Sequence, residues 1–183
     1  TIKGCAELIS GEEEKNRKDE YAQNILHSSD YMLELVNTLI EFYLLDTGRN
    51  KPNLSIFRLE TLFNEIIQNY GSLAQTKKLR LVTDFSGLDV VVSGDRSQLQ
   101  QILNNLLSNA VKFTQQGEVR LQAEYRNNEL YFLVQDTGTG MTEEEKGRIF
   151  AAFERLDNAR NLPGFGLGLA ITNRLVSGMQ GTL

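Results

Sequence analysis

Asn104-Asn105-Leu106-Leu107-Ser108-Asn109-Ala110-Val111-Lys112-Phe113 is the stretch on which the reading of this chain turns. As a helix it puts Asn105 and Asn109 on one face, with Lys112 one turn further along. Leu99, Ile102, Leu103, Leu106 and Ala110 fall largely on the other side. The polar strip offers amide oxygens, which suit a hard cation such as Mg²⁺, and a point positive charge, which suits phosphate. A core helix with two solvated amides has the same pattern, and the helix alone does not separate the two readings.

Two later stretches separate them. Asp136-Thr137-Gly138-Thr139-Gly140 follows the apolar run Leu130-Tyr131-Phe132-Leu133-Val134. Gly164-Phe165-Gly166-Leu167-Gly168-Leu169 precedes Ala170-Ile171-Thr172-Asn173-Arg174-Leu175-Val176, a helical pattern. Either glycine string alone fits an ordinary turn or a close packing contact. A carboxylate leaving a strand, then Gly-x-Gly, then a second glycine cluster opening a helix is far more specific.

In order and spacing these motifs resemble the catalytic and ATP-binding domain of two-component sensor histidine kinases, within the GHKL ATPase superfamily. The asparagine helix resembles the family's N box, and Asp136 to Gly140 its first glycine box. Phe150-Ala151-Ala152-Phe153 resembles the F box, and Gly164 to Gly168 the second glycine box. Thr1 to Asp46 is similar to the family's dimerisation and histidine-phosphotransfer hairpin, so the likeness covers nearly the whole chain.

Composition bounds the alternatives. A hydrophobic fraction of 40% and a charged fraction of 23% fit a globular protein, and a net charge of −5 is a poor footprint for a nucleic-acid binder. The modest cluster Lys77-Lys78-Leu79-Arg80 reads as a solvated helix end. A single cysteine, Cys5, rules out an intrachain disulfide, and a single histidine, His27, leaves little material for a His-rich zinc site or a Ser-His-Asp triad. No apolar run approaches the ~18 residues that span a bilayer. There is no Gly-x-x-x-x-Gly-Lys-Ser/Thr string and no His-Arg-Asp catalytic loop.

The expected fold is α+β, a helical hairpin (half of a dimeric four-helix bundle) followed by a GHKL-type α/β sandwich with a mixed sheet. Expected boundaries are 1–50 for the hairpin and 51–183 for the ATP-binding domain. Thr1 to Ser10 reads as a helix end and Gly11 to Arg17 as a polar connection. From Lys18 to Asp46 a second helix carries the heptad-like seam Ile25, Ser29, Met32, Val36, Leu39 and Tyr43, which needs a partner face. Beyond the linker, Leu54 to Phe57, Leu79 to Phe85, Val90 to Val92, Glu118 to Tyr125 and Leu130 to Val134 read as strands, with Asn127-Asn128 as a hairpin turn. Leu59 to Ala74 reads as an amphipathic helix. Asp95 to Gln98 and Thr142 to Glu145 resemble capping boxes. Asp157 to Pro163 suits a mobile loop. The family normally continues past Leu183 with another strand, so the chain reads as truncated at both ends.

The resemblance assigns roles. Asp136 reads the adenine amine, and Asn109 is the direct Mg²⁺ ligand. Asn105 supports that ligand or binds water. Lys112 contacts phosphate, and Phe113 faces the base or ribose, or else packs in the core. Gly138 and Gly140 allow close approach to the nucleotide, and Gly164, Gly166, Leu167 and Gly168 open a helix towards phosphate. Arg155 reaches the γ-phosphate or forms a surface ion pair. Asn105, Lys112 and Arg155 form the implied catalytic set. Phe150 and Phe153 anchor the lid base in the core. Asp95 helps at the mouth of the site or caps the helix. The acceptor histidine lies upstream of Thr1, because Thr1-Ile2-Lys3-Gly4 resembles the residues just after the acceptor segment. His27 does not match that motif.

The implied function is an ATP-dependent protein-histidine kinase module that passes phosphate on to a response-regulator aspartate. Its implied cofactors are ATP and Mg²⁺. The implied partners are a second copy through the hairpin and a response-regulator receiver domain, with no nucleic acid and with a membrane only through segments outside this chain. The implied location is the cytoplasmic part of a bacterial protein that can be anchored in the inner membrane. Two alternatives stand beside it: a non-catalytic dimeric ATP-binding module, and another GHKL ATPase. The second needs a glutamate in the asparagine helix, where this chain has Gln100, Gln101, Asn104 and Asn105.

Overall fold

A computed structural model describes residues 1–11, 15–156 and 164–183. The chain divides into two compact units, Thr1–Thr47 and Gly48–Leu183.

The first unit is helical. Helix α1 (Ile2–Gly11) packs beside α2 (Lys15–Asp46). The polar connection expected over Gly11 to Arg17 is therefore shorter, since α1 includes Gly11 and α2 already begins at Lys15. Residues 17–20 are charged and exposed yet helical. Charge there marks a solvated helix face and not a break. Within α2, Ser28, Ser29 and Thr38 return their hydroxyls to the carbonyls of Asn24, Ile25 and Glu34, four residues back, so their polar groups need no outside partner. Of the seam, Ile25 and Ser29 are half-buried, whereas Met32, Val36, Leu39 and Tyr43 are exposed.

The second unit is a sandwich of helices on strands. Strands β1 (Ser55–Arg58) and β3 (Val91–Gly94) form an antiparallel pair. Strands β2 (Arg80–Ser86), β4 (Glu118–Arg126) and β5 (Glu129–Asp136) form a mixed sheet in the order β2-β4-β5, with β2 parallel to β4 and β5 antiparallel to it. The β4–β5 turn is Asn127-Asn128, with φ of 51° and 65°. Two consecutive positive φ values match the right-handed twist of a hairpin, and asparagine tolerates them better than most residues.

One face of this sheet carries the core. Val119, Leu121 and Ala123 of β4 are buried, and Leu130, Phe132 and Val134 of β5 pack against the same cluster. Helix α3 (Leu59–Thr76) contributes Leu59, Leu62, Phe63 and Ile66, all almost fully buried. Each stabilises the unit by roughly 1.5–3 kcal/mol through apolar burial. Phe63 meets Phe85 edge-to-face at 5.3 Å between ring centroids. Helix α4 (Arg96–Phe113) contributes Leu99, Ile102, Leu103, Leu107, Ala110 and Val111. Leu106, expected on the apolar side, is only half-buried, and Leu107 takes the central place. The short helix α5 (Glu143–Lys146) starts with a reciprocal Thr142/Glu145 capping box. Helix α6 (Gly168–Gly178) packs on α4 through Ala170, Ile171, Leu175 and Val176.

Candidate functional site

The site is built along the C-terminal half of α4. That helix starts at Asp95, whose carboxylate accepts from the backbone N–H of Gln98 (3.0 Å) and Asn53 (2.6 Å) and from the Ser97 hydroxyl (2.6 Å). Burial pushes the Asp95 carboxyl up, but the bonds from Ser97, Gln98 and Asn53 outweigh it and hold the group below its ordinary value. At a rise of about 1.5 Å per residue, Asp95 lies roughly 20 Å along the axis from Asn109. It is the cap of that helix.

Asn105, Asn109 and Lys112 share one face of α4, and none of the three is fully exposed. The Asn105 amide nitrogen donates to the Gly168 carbonyl (3.1 Å) and the Thr172 hydroxyl (3.3 Å). Thr172 is fully buried and bonds the same Gly168 carbonyl at 2.9 Å. Asn105 therefore ties α4 to the first turn of α6.

Lys112 reaches the other end of the second glycine string. A side-chain carbon added at Gly164 would lie 3.2 Å from the Lys112 ammonium. That ammonium also sits 5.1 Å from the centre of the Phe113 ring. Burial, then the positive charges of Arg155 and Lys77, push the Lys112 pKa below the usual lysine value. Three cations thus face one region near the end of α4. The Arg155 side chain lies against Gly166, where an added Cβ would come within 3.1 Å of its Cγ.

Asp136 is the last residue of β5 and pairs with Val119 of β4. Val119 faces the core, and Leu130, Phe132 and Val134 precede Asp136 at two-residue spacing on that same face. The carboxylate thus ends the helix-facing row, and it is exposed. It accepts from the Gly138 N–H at 2.8 Å. A Cβ on Gly138 would lie 2.6 Å from the Phe113 carbonyl oxygen and 2.7 Å from Asp136 Oδ1, so this turn fits against the end of α4 only as glycine. Gly140 has a φ of 68° and open space around it.

The F-box phenylalanines are not the core anchors expected from the sequence. Phe150 is 37% exposed and Phe153 58%. Phe153 adopts a φ of 64° and its N–H donates to the Gly166 carbonyl at 2.9 Å. A Cβ on Gly166 would collide with the backbone carbonyls of Glu154 and Phe153, so the two segments pack closely only with glycine there. Leu167 is buried to 1% exposure. Its side chain belongs to the core, and only its backbone can line the site. The mobile loop expected over Asp157 to Pro163 lies outside the described residues. His27 is exposed on α2, beside a concavity of about 530 Å³ lined by Thr1, Lys3, Tyr31 and others. Its lining residues all belong to the first unit.

The arrangement thus joins Asp136, Gly138 and Phe113 at one place, Lys112, Arg155, Gly164 and Gly166 at a second, and Asn105 and Gly168 at a third, all along one helix. Lys77, a solvated helix end by its sequence, instead donates its ammonium to the Val111 carbonyl of α4 at 3.0 Å. Its partner lies 34 residues away, so no local pattern signals it.

Residues 94–183 match the family model for histidine kinase-, DNA gyrase B- and HSP90-like ATPases. Over its whole length the chain is 32% identical to the sensor protein GacS of Pseudomonas syringae pv. syringae and 32% identical to the sensor histidine kinase RcsC of Escherichia coli (strain K12). It spans about a fifth of those relatives, 21% and 20%. Among solved structures, full-length ShkA in complex with AMPPNP superposes with a TM-score of 0.80 at 31% identity, covering 98% of this chain and 38% of that one. The chain belongs to the two-component sensor histidine kinases and carries their histidine kinase-type ATPase domain.

Proposed function

We propose that the second unit binds Mg-ATP and that the chain is a catalytic segment, transferring the γ-phosphoryl group to a histidine upstream of Thr1. From that histidine the phosphoryl group passes to an aspartate of a response-regulator receiver domain. One observation carries the reading: the Asp136 carboxylate meets the C-terminal end of α4 at Phe113, the cations Lys112 and Arg155 stand there beside the second glycine string, and the amides of Asn105 and Asn109 continue the same helix face. The AMPPNP complex of ShkA supports it.

Asp136 accepts a hydrogen bond from the exocyclic amine of adenine, and it repels guanine, which carries an oxygen at that position. Gly138 keeps the loop against α4, and Phe113 flanks the base or ribose. Lys112 and Arg155 contact the phosphates. Asn109 offers one amide oxygen to Mg²⁺, which suits an ion that keeps several waters and takes its other ligands from phosphate. Held there, an ion would supply positive charge against that of the phosphates. Asn105 acts through α6, holding the start of that helix in place.

In the transfer, an imidazole nitrogen of the acceptor bonds to the γ-phosphorus as the bond to the bridging oxygen of ADP breaks. Lys112 and Arg155 stabilise the charge spread over the moving phosphoryl oxygens. The absence of a carboxylate at Gln100, Gln101, Asn104 and Asn105 favours this over hydrolysis, because no base is present there to activate water. The exposed apolar seam of α2 supports pairing with a second copy through the hairpin. No helix among the described residues is long and apolar enough to cross a membrane. We place the segment in the cytoplasmic part of a bacterial protein.

Two measurements test the proposal. Titration with ATP and GTP, with and without Mg²⁺, should give Mg²⁺-dependent ATP binding, with selectivity weakened in Asp136→Asn. Equal affinity for ATP and GTP in the unmodified chain counts against Asp136 as the reader. A chain extended upstream to include the acceptor should take acid-labile, base-stable label from γ-labelled ATP. Binding without label would favour the non-catalytic module, and release of free phosphate without label would favour a hydrolase.

A further inference from the structure

The C-terminal end of α4 is where the proposed phosphate cations sit, and it is electrostatically the wrong end for them. A helix leaves its last carbonyls unpaired and carries a partial negative charge there, roughly half an electron, which disfavours an approaching anion. Something must offset that charge if a polyphosphate is to lie against Lys112.

The described residues account for several of these carbonyls. The Ala110 carbonyl accepts from the Thr114 N–H (3.1 Å) and the Thr114 hydroxyl (2.7 Å). The Phe113 carbonyl is covered by the Gly138 turn. The Val111 carbonyl accepts from Lys77, which sits at the C-cap of α3. A cation from one helix end is thus inserted at the end of another. Val111 and Lys112 are adjacent in the last turn, so the Lys77 charge adds to burial and Arg155 in disfavouring the charged form of Lys112.

We propose that Lys77 is a positioning residue for the polyphosphate part of the nucleotide site: it holds the Val111 carbonyl and cancels the negative end of α4. The last turn, which carries Lys112 and Phe113, is held in place, and a triphosphate meets net positive potential there. This rests on the nucleotide-binding reading given above. Lys77 touches no nucleotide in this scheme, and its effect scales with ligand charge. A purely structural lysine would affect every ligand of the site alike.

The test compares the full chain with Lys77→Met, Lys77→Gln and Lys77→Arg, measuring affinity for ATP, ADP, AMP and adenosine at two ionic strengths, and the melting temperature of each variant. Lys77→Met should lose about tenfold in ATP affinity, less for ADP, and little for AMP or adenosine. The salt dependence of ATP binding should shrink with it. Lys77→Gln, which keeps a donor but no charge, should resemble Lys77→Met, and Lys77→Arg should retain ATP affinity. Equal losses for all four ligands, or unchanged ATP affinity in folded Lys77→Met, overturns the inference. If the unmodified chain binds none of the four, the nucleotide reading fails and this inference falls with it. Normal ATP binding with no charge-graded loss sinks the inference alone.

Discussion

Gly138→Ala adds one methyl group where the loop after β5 meets the end of α4. The new carbon would stand 2.6 Å from the Phe113 carbonyl oxygen, 3.0 Å from the Phe113 carbonyl carbon and 2.7 Å from Asp136 Oδ1. That is about 0.8 Å short of ordinary contact with a backbone atom fixed in a helix. The helix cannot yield cheaply, so the loop must move and take the carboxylate with it. Overpacking of this kind costs about 1–3 kcal/mol of stability. A charge-assisted hydrogen bond displaced by most of an ångström forfeits about 1.5–3 kcal/mol, or roughly a 10- to 100-fold loss in ATP affinity. Gly71→Ala is the control. Gly71 lies inside α3 with nothing within 4 Å of an added Cβ. The same chemical change there should stabilise by about 0.5–1 kcal/mol through helix propensity and leave nucleotide binding unchanged. Isothermal titration with ATP and thermal melts of both variants give the comparison. A Gly138→Ala chain that melts with the parent and binds ATP within twofold of it would falsify the steric argument, and with it the placement of Asp136 against α4.

Further outcomes follow from the charges and caps. Asp95→Ala should cost about 1–2 kcal/mol for loss of the α4 cap, read by chemical denaturation. The Asp95 carboxyl is held below its ordinary value in the fold, so its stabilisation is fully present above about pH 3.9 and drains away as pH falls through the lower folded value. Asp95→Asn should flatten that part of the acid melting profile. The folded state binds the Lys112 proton less tightly than the unfolded chain does, so stability should rise with pH between the lowered value and about 10.4. Lys112→Met should remove that alkaline rise and weaken ATP binding by about tenfold or more. Asn109→Ala should abolish the difference in ATP affinity with and without Mg²⁺ while sparing adenosine, and an unaltered Mg²⁺ dependence would remove Asn109 as the ligand.

The architecture was open to reading because its signals are local. Alternation in β4 and β5, the 3-and-4 spacing of Leu62, Phe63 and Ile66, and the Asn127-Asn128 turn each express backbone preferences over a few residues. The order of the glycine strings gave the family. What escaped depends on partners distant in sequence. The orientation of the Asn105 amide is set by Gly168 and Thr172, more than 60 residues on. Phe150 and Phe153 suggested burial by their chemistry, but both rings are exposed, and Phe153 takes a positive φ while its N–H donates to the distant Gly166 carbonyl. Lys77 looked like surface charge because its acceptor lies on another helix. The start of α2 lies earlier than its charge pattern suggests, because an exposed helix face accommodates charged residues.

The pair of hydrogen bonds from Asn105 to α6 has a consequence for how a ligand is received. The opening of that helix is riveted to α4 before anything arrives, with a buried threonine as backing plate. Whatever rearranges on ligand entry, this corner is a fixed seat and not a moving jaw. Ordering costs then fall on segments lacking such a fastening, and the Ile171 amide, which donates to the Leu167 carbonyl, should resist hydrogen exchange equally well with and without ligand.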